Sequence, residues 1–207
     1  PDALSFDEAA ALGVSAFTAL QALRDHGKVQ SGHKVLITGA SGGVGSFAVQ
    51  VAKHMGAEVT GVCSTRNVEM VTALGADAVI DYTKQDWAQL PGRYDVILDN
   101  VGRHGLAQMR ACLTPTGILL ANGAPVSGWF GGLGHFAKAM TQSIFVRAQA
   151  RPFVSVANSE DLETLRGLAE SGAIRPIIGA TFDLDAAPAA VASVADGGAP
   201  GKTSIAM

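Results

Sequence analysis

Three glycines, Gly39, Gly42 and Gly45, stand three apart in the run Gly39-Ala40-Ser41-Gly42-Gly43-Val44-Gly45, after the apolar stretch Lys34 to Thr38 and before the amphipathic FAVQVAKHMG. Glycine at such positions lets the backbone turn tightly and approach a diphosphate, which backbone amides and the positive end of the following helix then hold. The chemistry is anion binding without a charged side chain. A bare glycine triplet is a weak signal, but a strand before it and a helix after it make it a dinucleotide-binding fingerprint. The bland reading, a turn that only packs a helix on a sheet, is the minor alternative.

A second group follows the next apolar stretch, Glu58 to Val62, where Ser64, Thr65 and Arg66 stand in place of the Asp or Glu that accepts hydrogen bonds from an adenosine ribose in NAD-preferring domains. Without a carboxylate to repel it and with a guanidinium to pair with it, a 2′-phosphate is favoured, so the expected cofactor is NADPH. The bland alternative for Arg66 is a solvated charge at a helix start. Asn100, Val101 and Gly102 follow the fourth apolar stretch, and Gly123 and Ala124 follow the fifth. Both turns belong at the carboxyl edge of an open α/β sheet, where they would flank the nicotinamide ribose and ring. Asp99 reads as a polar strand-end residue without a role. The five histidines are scattered and none is assigned a function.

The elements that must position these groups are legible in the hydrophobic pattern. Ser5 with Glu8 forms a capping box, and Ala9, Leu12, Ala16, Leu20 and Leu23 recur at helical spacing up to Gly27. Strands are expected at 34–38, 58–62, 78–80, 94–98, 117–120 and 153–156. The helices between them are expected at 46–55 and 68–74, and around Leu106 to Leu113, where Pro115 would stop the last one. Residues 123–151 read as a glycine-rich loop and then a helix, and Ser159 as the cap of a helix running to Gly172. The chain then finishes in three apolar segments, Ile177 to Phe182, Asp185 to Val194 and Thr203 to Met207, without the earlier strand–helix pattern. Strands alternating with helices of these lengths imply an α/β fold, a doubly wound parallel sheet of the Rossmann dinucleotide-binding type.

Composition narrows the function classes. With 48% hydrophobic and 16% charged residues the 207-residue chain packs a core, and a net charge of −3 without a dense Lys/Arg run argues against nucleic acid as a partner. Cys63 and Cys112 are isolated from other metal-ligand residues, so they read as reduced buried thiols, and no metal is expected. No apolar run is long enough to span a membrane and no signal peptide is visible, which points to a cytoplasmic setting, while a start on Pro1 reads as a processed product or a fragment.

The glycine run also fits a second spacing, Thr38-Gly39 then Gly43 and Gly45, which resembles the turn of short-chain dehydrogenases. Those enzymes need a catalytic Tyr with a Lys four residues on, and here Asp86 follows Tyr82 and Leu98 follows Tyr94 at that distance. From SAFTALQAL at Ser15 to Leu23, through GASGGVG, LGADAVIDY at Leu74 to Tyr82 and LDNVG at Leu98 to Gly102, to GKTSI at Gly201 to Ile205, the chain instead resembles the cofactor-binding part of zinc-free, quinone-oxidoreductase-like medium-chain dehydrogenase/reductases. The resemblance implies NADPH-dependent reduction of a quinone, enone or related carbonyl substrate. It implies that Tyr82 bonds the 2′-phosphate, that Phe153 and Val154 pack near the nicotinamide, and that Thr18 approaches it from the opening helix. Residues 1–207 would be one domain lacking an N-terminal GroES-like catalytic domain, with segments 1–25 and 175–207 packing toward it, and a homodimer would form edge to edge around Val126 to Phe153. Catalytic residues are unknown; Trp129, Phe130 and Phe136 are the substrate-facing candidates. A domain that binds NADPH without turning anything over is the alternative.

Overall fold

The structure, a computed structural model, describes residues 4–89, 93–122, 149–195, 197 and 199–206. Its centre is a six-stranded parallel sheet in the order β3-β2-β1-β4-β5-β6, formed by β1 (Lys34–Thr38), β2 (Glu58–Cys63), β3 (Ala78–Asp81), β4 (Tyr94–Asp99), β5 (Leu113–Ala121) and β6 (Gln149–Pro152). Strand order reverses between β1 and β4, which opens a crevice beyond their carboxyl ends. The middle strands are covered on both faces. Val35 and Ile37 of β1 and Val96 and Leu98 of β4 enter one core with Phe47, Val49 and Leu165. The intervening Leu36 and Ile97 enter the other with Val62, Ile80, Trp87 and Met109. This explains the near-continuous apolar runs of these strands.

The first helix, α1 (Phe6–Gln21), starts as expected: Ser5 accepts from the Glu8 amide, and the Glu8 carboxylate accepts from the Ser5 amide. It kinks at Gly13 and ends in a π-helical turn, Ala22–His26, after which Lys28 adopts φ 48°. α2 (Gly43–His54) begins inside the glycine run, three residues before the expected start. α3 (Val68–Ala73) follows a short 3-10 turn at Thr65–Asn67.

Several boundaries correct the sequence reading. α4 (Leu106–Ala111) stops before Leu113, and Pro115 does not end it; β5 already starts at Leu113. The strand tolerates the proline because its register with β4 slips between the Tyr94 and Val96 pairings, so Pro115 falls in the irregularity. The sixth strand lies at 149–152, ahead of the apolar residues 153–156 that had suggested it. α5 (Ser159–Glu170) is capped by Asn158 and not by Ser159; the Asn158 side chain accepts from the Asp161 amide at 2.8 Å. The terminal segments do form a strand–helix–strand unit: β7 (Ile178–Asp183), α6 (Ala187–Ala195) and β8 (Lys202–Ala206), with the two strands parallel. β8 returns to the main body, where a bridge between Gly42 and Gly201 and a bond from the Gly201 amide to the Ser41 carbonyl, 2.8 Å, dock it on the glycine turn. The expected loop and helix at 123–148 lie outside the described residues.

Candidate cofactor-binding site

The crevice at the β1/β4 switch point is a cleft of about 1160 Å³ whose floor is the glycine turn. Each glycine of the triplet has a separate reason to be there. Gly39 has φ 60°, the left-handed conformation that other residues avoid, and a Cβ would also lie 3.1 Å from Val101 Cγ2. Gly45 packs where a Cβ would lie 2.0 Å from the Gly39 carbonyl oxygen. At Gly42 a Cβ would meet nothing closer than that same oxygen at 3.3 Å, so a side chain there would instead occupy the cleft. Gly42 caps α2 without a side chain. The amides of Gly43, Val44 and Gly45 are the helix's first and have no carbonyl one turn back within it. A row of N–H groups and a helix dipole thus meet an open cradle, which fits a diphosphate.

Above the turn the strand ends are sewn together. Asp99 is buried and accepts from Thr38 Oγ1 at 2.6 Å and from the amides of Val101 and Gly102 at 3.2 Å. Asn100 donates to the Thr38 carbonyl at 2.9 Å and accepts from Asn122 Nδ2 at 2.8 Å. Asp99, assigned no role from sequence, therefore folds the Asn100–Gly102 turn and joins β4 to β1.

At the other end of the cleft Ser64, Arg66 and Tyr82 come together. Arg66 donates to the Gly197 carbonyl at 3.1 Å, which ties it to the segment leading into β8. Asn67, buried, donates to Ser41 Oγ at 3.0 Å and to Ser64 Oγ at 3.3 Å, linking the glycine turn to the end of β2. Thr65 turns away from the cleft and gives its hydroxyl to Asp81 at 2.5 Å. That bond, with those from Thr83 and Lys84, holds the Asp81 carboxyl well below the usual carboxylate range. Tyr82 is half-exposed, and the Arg103 guanidinium lies 5.5 Å over its ring. The next residue, His104, bonds Asp86 at 2.8 Å and packs edge-on against Trp87, so the β3 and β4 loops are clasped together along the cleft wall.

Other expected site residues stand apart from the cleft. Ala40 is fully buried beneath the turn. Thr18 is buried and spends its hydroxyl on the Val14 carbonyl at 2.7 Å, within its own helix. Phe153 packs on the main core, its ring 5.1 Å from that of His26, and Val154 is 73% exposed. Neither lines the cleft, because the strand that was to carry them ends at Pro152. Gly123, Ala124, Trp129, Phe130 and Phe136 lie outside the described residues.

Residues 74–203, more than half the chain, match the family model described as zinc-binding dehydrogenase. The 2-methylene-furan-3-one reductase of Solanum lycopersicum is 33% identical over 99% of this chain and 48% of its own length. The chloroplast envelope quinone oxidoreductase homolog of Arabidopsis thaliana is 34% identical over 98% of this chain and 62% of its own length. The structure of the quinone oxidoreductase from Coxiella burnetii superposes with a TM-score of 0.84 at 31% identity, covering 98% of this chain and 61% of that one. The chain belongs to the medium-chain dehydrogenase/reductase family. It falls in the quinone-oxidoreductase-like branch, whose members use nicotinamide cofactors. It spans about half to two-thirds of the length of these relatives.

In this medium-chain domain the cleft includes residues that sequence reasoning passed over: Ser15, Asn67, Arg103, His104, Gly201 and Lys202. Most reach the glycine turn only through tertiary pairing. The available signal was GKTSI, whose Gly201 immediately precedes the returning strand and whose Lys202 begins it. Among the described residues no three His, Cys, Asp or Glu side chains are grouped to hold a metal ion, and no helix is long and apolar enough to cross a membrane.

Proposed function

We propose that this chain is the NADPH-binding domain of an oxidoreductase that reduces a quinone, an enone or a related conjugated carbonyl compound. The observation that carries the reading is the cleft at the switch point, running from the glycine turn to Arg66 at a β2 end without Asp or Glu. A 2′-phosphate meets a guanidinium there, with Ser64 and the Tyr82 hydroxyl as further donors. Asp81, the nearest strand-end carboxylate, already has its oxygens engaged by Thr65, Thr83 and Lys84. The first amides of α2 hold the diphosphate, and the turn at Asn100–Gly102 shapes the nicotinamide end. Bound in this way, the cofactor supplies the hydride, while the chain orients it. The substrate class is supported by the likeness to relatives named as quinone and furanone reductases.

The same reading makes 1–207 one domain of a longer protein whose GroES-like barrel supplies most of the substrate pocket, so that the chain alone binds cofactor without turnover. Phe6, Val14, Val191 and Val194, all strongly exposed on segments 1–25 and 175–207, are apolar surface for such a domain to cover. A homodimer would pair through β6, the outermost strand on its side of the sheet.

The test is titration with NADPH and NADH, read by quenching of Trp87, whose buried ring borders the cleft, and by nicotinamide fluorescence. Charged hydrogen bonds of this kind are worth roughly 1.5–3 kcal/mol, about 10- to 100-fold in Kd. NADPH is expected to bind tighter by that factor, and Arg66→Ala to bring it down to the affinity of NADH. Equal binding of the two cofactors by the unmodified chain, or an Arg66→Ala variant with its preference intact, would sink the assignment.

A further inference from the structure

β3 and β4 are not neighbours in the sheet. β2 and β1 lie between them, so their ends stand about 14 Å apart at the ordinary strand spacing. The loops that leave them nevertheless meet. Asp86, after β3, accepts from His104 Nε2, after β4, at 2.8 Å. Tyr82 and Arg103, one from each loop, form a second rung, the guanidinium 5.5 Å over the ring. All four line the cleft with Trp87. The arch they make stands on Trp87, which is buried with Leu36 of β1 and Val62 of β2 and meets the His104 ring edge-on at 4.7 Å.

The two halves of the arch are not equally secure. Asp86 is fixed by its own turn, where it accepts from the Ala88 amide at 3.0 Å and from Gln89 Nε2 at 3.1 Å. The Ala88 amide, with His104, holds its carboxyl below the ordinary range, so it stays ionised where a histidine titrates. The β4 half is Arg103 and His104 between two glycines, Gly102 at φ 71° and Gly105 at the cap of α4, so side-chain bonds must place it. A bond between an imidazolium and a carboxylate is roughly twice as strong as its neutral counterpart. Both partners here are partly buried, which limits screening by salt. The other charged or titratable groups around the pair are Tyr82 and Arg103, the Asp81–Lys84 pair, Arg110 of α4, and Cys112, whose thiol burial pushes up. His104 is the one histidine among the described residues that line the cleft, and histidine is the side chain that ordinarily changes charge between about pH 5 and 8.

Resting on the cofactor reading above, we propose that His104 is a positioning residue for this wall of the cleft: as an imidazolium it draws the β4 loop onto Asp86, and dinucleotide binding weakens as pH rises and the ring becomes neutral. The arch acts on the part of the cofactor that NADPH and NADH share, whereas Arg66 acts on the 2′-phosphate. By linkage, a ligand that prefers the protonated form takes up part of a proton when it binds.

The experiment measures Kd of the 207-residue chain for NADH between pH 5.5 and 8.5, with proton uptake read by calorimetry in buffers of different ionisation enthalpy. NADH is the probe because the 2′-phosphate of NADPH itself titrates at about pH 6. Binding is expected to be about fivefold weaker at pH 8.5 than at pH 5.5, the difference between a charge-assisted and a neutral hydrogen bond, with fractional proton uptake near pH 7. His104→Gln should give a flat profile at the weaker level, and His104→Arg a flat profile near the tighter one. Asp86→Asn should also flatten the profile, whatever its absolute affinity. Melting temperatures identify variants that fail to fold, and the proton uptake of the unmodified chain needs no variant. A flat profile without proton uptake in the unmodified chain overturns the proposal and leaves the cofactor reading standing. So does a profile that persists in folded His104→Gln, which assigns the titration to another group. A profile that persists in folded Asp86→Asn overturns the positioning role, since the imidazolium would then act on the cofactor by its charge alone. No binding of NADH or NADPH at any pH overturns both.

Discussion

Replacing Gly45 and Gly42 separately by alanine should split the glycine turn into a part that serves the fold and a part that serves the ligand. At Gly45 the new carbon would sit 2.0 Å from the Gly39 carbonyl oxygen and 2.8 Å from Ala40 Cα, where real Cβ contacts stay beyond 3.0 Å. Both neighbours are backbone, so the turn itself must retreat by about 1 Å from its packed position, as a close-packed interior allows only at a cost. The retreat pulls the Gly39 carbonyl away from the Gly42 amide, which it accepts at 2.9 Å. Overpacking with a lost hydrogen bond amounts to about 3 kcal/mol. For a chain of this size that lowers Tm by roughly 6–12 °C. Gly42, at φ −83° and ψ −180°, is in a conformation open to alanine, and its Cβ meets nothing closer than 3.3 Å. Gly42→Ala should therefore cost no more than about 1 kcal/mol, the N-cap difference between the two residues. Its methyl would stand in the path of the diphosphate, so NADPH affinity should fall at least tenfold, by roughly 1.4 kcal/mol or more. Differential scanning fluorimetry with NADPH titration reads both quantities. A Gly45→Ala protein that melts with the unmodified chain refutes the packing argument. A folded Gly42→Ala protein that binds NADPH normally refutes the placement of the diphosphate.

Other perturbations follow from the same geometry. Arg24, with Gln21 and Asn158, lowers the buried Asp161 carboxyl to about 2 from an ordinary 3.8. A lowered folded-state value stabilises above the unfolded one, so about 2 kcal/mol is present above pH 4 and lost as pH falls through 2; urea unfolding at pH 5 and at pH 2 should differ by at least that amount. Lys28→Gly relieves the left-handed backbone at φ 48° after the π-helical turn, and should raise stability by about 0.5–1 kcal/mol in chemical denaturation. Burial pushes the Cys63 thiol up to about 11, so at pH 8 it should resist a thiol-disulfide reagent in the folded chain and react within minutes once unfolded.

Sequence legibility followed the range of the interactions involved. The glycine turn, the Ser5–Glu8 cap and the apolar runs of β1 and β4 are set by neighbours within a few residues, and the structure has them where the pattern put them. β6 was misplaced because Gln149-Ala150-Arg151-Pro152 has no apolar signature, whereas the adjoining Phe153 and Val154 imitate one. β5 was shortened because a proline normally ends regular structure, and only the register slip against β4 makes room for Pro115. The same distinction holds in the cleft. Gly39, Gly42 and Arg66 are recognisable in place, but Lys202 reaches Ser15 across 187 residues, and GKTSI by itself does not say which turn it will meet. Thr18 was displaced by a short-range bond, its hydroxyl being taken by Val14 one helical turn back.

The polar links between the strand ends explain how a site can be opened between two strands without weakening the sheet there. At a switch point the chains leaving β1 and β4 depart in opposite directions, so the strand ends lose the neighbours that would satisfy their backbone groups. Here Thr38 is bonded through both its hydroxyl and its carbonyl to Asp99 and Asn100, the Asn100 amide donates to the Thr38 hydroxyl at 2.9 Å, and Asn122 extends the chain of bonds to β5. These bonds cross three strands and use side chains in place of ladder pairs. Asp99 also accepts from the Val101 and Gly102 amides, so the turn beside the cleft is tied to the end of β4 by side-chain hydrogen bonds. On the proposed cofactor placement, these prior bonds leave binding little ordering to accomplish at the nicotinamide end. The rest of the cleft is built differently: Arg66 leans on Gly197, and Lys202 lies over Gly43 by way of the returning strand. On the proposed cofactor placement, affinity depends on how firmly β8 docks, and a domain packing against the terminal segments would act on the cleft through that strand.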